Sequence, residues 1–129
     1  MITVDELAAM LEELESEIPA DLYRDLNGGV VLVQGSKLHP ESGGSRDLYI
    51  MGEYNWQPRG LGRYITIYYG SFVRVYDHYP PERQKEELRK ILYHEFTHHL
   101  ESMAGEKDLE IKDAIDLLEY RQRFGKTRP

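Results

Sequence analysis

His94-Glu95-Phe96-Thr97-His98-His99 sits inside the longest helical pattern of the chain, and the other segments have to be built around it. Side chains four apart on a helix lie one turn above each other on the same face. His94 and His98 are so spaced, and two imidazoles placed that way reach one metal ion from the same side. Zinc accepts such a pair and keeps room for a carboxylate and a water. Glu95, between them, projects beside the site, where it can take a proton from that water. The helix is expected over residues 81–104. Pro81 suits its first position, acids fall in its first turns, and Gly105 suits a C-terminal cap. Its apolar stripe is Leu88, Leu92, Phe96 and Met103, with Ile91 at the margin. At about 100° per residue, His94 and His98 share one flank of that stripe, and Glu95 points between flank and stripe. His99 falls in the middle of the stripe and reads as a core histidine with a hydrogen-bond partner, not a ligand.

Upstream of this helix the pattern alternates between short elements and loops. Thr3 and Glu6 form a T-x-x-E capping box, opening a helix whose apolar face is Leu7, Leu11, Leu14 and Ile18 with Met10 alongside. The glutamates at 12, 13, 15 and 17 read as a solvated face. Pro19 stops that helix and starts a short second one through Leu26, and Asn27-Gly28-Gly29 is a turn. The β-branched run 30–33 reads as a buried strand. Residues 35–46 read as a loop, with His39 on the surface. A second strand is expected over 48–54 with Gly52 a candidate bulge, then a loop over 55–62 carrying Trp56. Residues 63–69 give the cleanest strand: Ile65, Ile67 and Tyr69 on one face, Tyr64, Thr66 and Tyr68 on the other. Residues 72–76 are expected to make one or two helical turns.

Downstream, a last helix is expected over 108–124. Ile111, Ala114, Ile115 and Leu118 form one apolar face; Leu109, Leu117, Tyr120 and Phe124 form a second, nearly opposite. Asp113 shares the second stripe, and a carboxylate among apolar neighbours needs a partner.

The 129 residues make one domain, an α+β unit with a small, mostly antiparallel sheet packed on the long helix. The absence of cysteine excludes disulfides, zinc ribbons and thiol nucleophiles. A formal charge of −7 argues against nucleic acid or an anionic membrane surface as partner. No apolar run approaches a membrane span, and the acidic start lacks the form of a signal peptide, so a cytoplasmic protein is expected.

The order of elements, the strand RYITIYYG and the stretch LRKILYHEFTHHLESMAGEKDLEIKD resemble the small bacterial zincin-like metallopeptidases, the mini-zincins. The likeness extends roughly over residues 7–113, with HExxHH its specific core. It implies a minimal zincin-like fold and zinc-dependent hydrolysis of peptide bonds. By that resemblance His94 and His98 hold zinc, Glu95 is the general base, and peptide lies along an edge strand, here residues 63–69. Many mini-zincins carry Gly three residues after the second His and an acid three further on. Here Glu101 holds the first of those positions, and G-x-x-D recurs one turn later as Gly105 and Asp108. The extra turn moves Asp108 about 5 Å from the metal level, where it suits a helix cap. A helical hairpin would instead return Asp113 or Asp116 to that level, and Asp113 is favoured as third ligand. Glu101 either orients an imidazole or is simply an exposed acid. A Tyr or His39 is the candidate oxyanion donor. The alternative function is a non-catalytic module in which zinc is structural.

Asp113→Asn should therefore weaken zinc binding strongly, because an amide oxygen is a poor substitute for a carboxylate. Asp108→Asn should cost no more than a cap adjustment. Zinc titration against a chelator at fixed pH compares them; loss of metal in Asp108→Asn alone would refute the hairpin argument.

Overall fold

The structure is a computed structural model and describes residues 1–43, 48–104 and 116–120. Helix α1 (Val4–Ser16) opens on the expected capping box: the Thr3 hydroxyl accepts from the Glu6 amide, and the Glu6 carboxylate accepts from the Thr3 amide. A 3-10 turn (Ala20–Tyr23) follows Pro19. Five strands come next: β1 (Gly29–Val33), β2 (Lys37–Leu38), β3 (Tyr49–Ile50), β4 (Gly52–Gln57) and β5 (Gly62–Tyr68). Helices α2 (Tyr69–Tyr76) and α3 (Pro81–Met103) follow. No helix among the described residues is long and apolar enough to cross a membrane.

The architecture is α+β, with the main sheet ordered β1-β5-β4. β1 pairs parallel to β5, β4 pairs antiparallel to β5, and β2–β3 make a separate antiparallel ladder. Ile65 and Ile67 of β5 face the helices and join Leu7, Leu14, Leu88, Leu92 and Phe96 in one core. The apolar face of α1 and the stripe of α3 are thus buried as their spacing requires. Arg89 of α3 adds a polar tie: its Nε and Nη2 each donate at 3.2 Å to the two oxygens of Glu17. Glu17 therefore departs from the solvated face expected for it, because a buried guanidinium requires a paired carboxylate.

Several boundaries differ from the sequence reading. The segment expected as one strand over 48–54 divides at Met51 into β3 and β4, which belong to different sheets. Gly52 is no bulge, since the β4–β5 register runs unbroken from Gly52↔Ile67 to Gln57↔Gly62. Its missing side chain serves packing: a Cβ there would lie 3.1 Å from Ile91 Cγ2 and 3.2 Å from Ile67 Cδ1. The loop expected from 55 is strand as far as Gln57, held partly by Arg63 stacking over Trp56 at 4.2 Å. Most consequentially, residues 63–69 do not form an edge strand: β5 is paired on both sides. The edge beside α3 belongs to β4. The segment 116–120 is helical with Leu118 in the core, whereas Leu117 and Tyr120 of the other stripe are exposed. That exposure corrects the premise that the second stripe is buried; Asp113 and Asp108 themselves lie outside the described residues.

His99 is fully buried, as its place in the stripe requires. Its Nε2 lies 2.9 Å from the Arg24 carbonyl, which only accepts, so Nε2 carries the proton. Nδ1 then accepts from the Tyr54 hydroxyl at 2.9 Å. Burial holds the imidazole below its ordinary value, against the Arg24 carbonyl, which favours the charged ring. In the unfolded chain it titrates near 6.5. Below that pH the unfolded state binds a proton that the folded state resists, so stability is highest above about 6.5 and falls with acid. His99→Gln should flatten that dependence between pH 7.5 and 5.5 while costing about 1–3 kcal/mol at the upper pH. Urea unfolding of both proteins at the two pH values measures it; equal slopes would contradict this account.

Candidate active site

The motif occupies the fourth and fifth turns of α3, where one flank of the helix leaves the core and faces β4. His94 and His98 are exposed, with Nε2 of one 3.1 Å from Nε2 of the other and ring centroids 4.6 Å apart. Two nitrogens on one tetrahedral zinc, each at about 2.0–2.1 Å, are about 3.3 Å apart. The pair therefore already has nearly the spacing of a shared ion. Glu101 lies one turn on, its Oε1 3.4 Å from His98 Nδ1. A carboxylate at Nδ1 leaves Nε2 as the metal-facing nitrogen, so Glu101 is both largely exposed and placed to orient an imidazole. Among the described residues no group of three or more His, Cys, Asp or Glu side chains is arranged to hold a metal. The residues present thus fit a metal as a two-imidazole face that needs a third donor.

Glu95 is set apart from its neighbours by burial. It is only 6 % exposed and accepts no hydrogen bond from a described residue. Desolvation raises its pKa to about 7; Glu53 pushes the same way, and His98 opposes. A carboxylate near neutrality can both take a proton and return it.

A groove runs between α3 and the side of β4 that pairs with no strand among the described residues. One half, about 480 Å³, is lined by Ile50, Met51, Gly52, Tyr76, Ile91 and the Glu87–Lys90 pair. The other, about 740 Å³, is lined by Glu53, Tyr54, His98, Glu101 and Ser102. His94 and Glu95 line both, so the motif lies at the middle. Gly52 sets the width here, because Ile91, one turn before the motif, packs against its bare backbone.

The chain aligns with the structure of a conserved hypothetical protein from Thermus thermophilus at 33 % identity and a TM-score of 0.67, over 81 % of this chain and 100 % of that one. The two belong to one family. Within this family the similarity supports the fold over most of the chain, and the relative's description names no activity. No family model and no curated protein matches the sequence.

Of the residues expected at the site, the structure brings together His94, His98, Glu95 and Glu101. His39 is not among the groove-lining residues; it lies in an exposed turn, where its Nδ1 accepts from the Glu41 amide at 3.0 Å. Tyr54 does line the groove, but its hydroxyl proton is committed to His99. Asp116 is exposed. Sequence reasoning missed the wall formed by Ile50, Glu53 and Tyr54. The available signal was Glu53 itself, an acid inside an otherwise apolar strand pattern.

Purified protein exposed to zinc and desalted should carry about one equivalent by elemental analysis. His94→Ala and His98→Ala should each lose it without unfolding, since both side chains are exposed. Zinc retained by both variants would place the metal elsewhere.

Proposed function

We propose that this protein is a zinc-dependent metallopeptidase of the mini-zincin kind, with a minimal zincin-like fold. One observation carries the reading: a buried, unpartnered carboxylate, Glu95, opens into a groove between two histidines whose Nε2 atoms share one focus. A structural zinc site is closed by four protein ligands, whereas this pair faces open groove on both sides. His94 and His98 would hold the ion, with Asp113 proposed as third ligand on the hairpin argument. Zinc supplies Lewis acidity and brings the pKa of a coordinated water from 15.7 toward about 7.

The chain's own residues do the rest. β4 offers unpaired backbone N–H and C=O groups along the groove, so an extended peptide can add as the next strand beside α3. That assigns β4, not β5, the substrate-aligning role. Glu95, held at its desolvated position by the helix, removes the proton of the attacking water and delivers it to the leaving amine. Glu101 keeps the His98 ring turned so that Nε2 faces the groove.

Glu95→Gln should keep fold and zinc while lowering peptide hydrolysis by at least ~10²-fold, the usual scale for loss of a general base. Loss of zinc from this variant would make Glu95 a ligand and overturn the mechanism. Hydrolysis of a peptide library, read by mass spectrometry with and without chelator, makes the comparison.

A further inference from the structure

The two halves of the groove carry different charged groups. Ile50, Met51, Tyr76 and Ile91 line the first half, where the charged pair Glu87 with Lys90 at 3.4 Å is internally neutralised. The second half presents acceptors: the carboxylates of Glu53 and Glu101, and Tyr54, whose proton is already given to His99. β4 runs from the first half towards the second. A peptide pairing antiparallel with it therefore lays its N-terminal portion against Glu53 and its C-terminal portion against Ile50 and Ile91.

Glu53 is held in place. Its Oε1 accepts from the Tyr68 hydroxyl at 2.7 Å and its Oε2 from Lys37 Nζ at 2.7 Å. A carboxylate oxygen accepts two bonds, so each retains a lone pair. Burial works against the charge, but the Lys37 and Tyr68 bonds prevail and hold the acid ionised, below its ordinary value. The side chain is 27 % exposed and Lys37 45 %, so both remain reachable from solvent. Glu95 opens into the same half as well as the first.

We propose that Glu53 is a specificity-determining residue that receives a primary ammonium of the substrate on the N-terminal side of the bond held at His94 and His98. The substrate class is then peptides carrying a free N-terminus, or a lysine side chain, at that position. This rests on the peptide reading above and deepens it.

The test is binding, so that it stands apart from turnover. Zinc-loaded Glu95→Gln protein is titrated calorimetrically with three short peptides ending in apolar residues. One has a free N-terminus and no other charge, one is the same peptide acetylated, and one is acetylated with a lysine near its start. The free or the lysine peptide should bind about two- to fivefold tighter than the uncharged one, the usual worth of a partly exposed ammonium–carboxylate contact. Which of the two does so identifies the source of the ammonium. Adding Glu53→Gln should bring the ratio towards one, whereas adding Lys37→Met, which removes the competing cation, should raise it. Thermal melting confirms that each variant is folded. Equal binding of all three peptides, no binding of any, or a ratio unchanged by both substitutions overturns the proposal. A ratio that behaves as expected in a protein that cleaves nothing would sink the peptidase reading and leave this one standing.

Discussion

One buried ring holds the site together. His99 is fully buried and must satisfy two nitrogens where water cannot reach, and it does so across three segments of the chain. Nε2 donates to the carbonyl of Arg24, after the 3-10 turn, and Nδ1 accepts from Tyr54 on β4. An unsatisfied polar group in that position would cost about 1–3 kcal/mol, so the ring enforces the distance between helix and strand. Consecutive helix positions differ by about 100°, so fixing His99 inward also fixes His98 beside it on the helix flank. The placement of the His94–His98 pair is thus tied to the core.

The same rotation explains why three neighbouring residues live in different environments. His94 and His98 are exposed, whereas Glu95, one step from His94 and turned towards the sheet, is almost fully buried. Because Gly52 has no side chain, Ile91 sits close against β4, one turn before the motif. Burial, more than any neighbouring charge, moves the carboxylate to about 7, desolvation being the largest of its causes. A larger residue at 52 would have to displace Ile91 or Ile67.

Much of this was legible in the sequence, for identifiable reasons. The capping box, the apolar face of α1, the long helix and the inward His99 all follow from helical periodicity, which needs no knowledge of partners. The motif histidines could be placed on a flank by projection alone. Strand neighbours were not legible in this way. The alternation in β5 fits an edge or a centre equally well, and only the register to β1 and β4 shows it to be central. Glu53 escaped for a related reason. Its significance comes from Tyr68, fifteen residues on, and Lys37, sixteen back, and no local pattern joins them. The second stripe of the last helix shows the reverse hazard: Leu117 and Tyr120 recur at helical spacing yet are exposed.

The topology also limits what can use the free side of β4. A bare sheet edge invites pairing with any other strand, and natural proteins restrain this with charge and cover. Both restraints operate here. Glu53 and Lys37 place a charged pair at the edge, and α3 rises alongside β4, with Ile91 against Gly52 and His94 and His98 beyond it. A single extended chain needs only the 4.7–4.9 Å of a strand partner. The groove beside α3 offers that spacing to an extended chain, which would then lie next to the two imidazoles and Glu95.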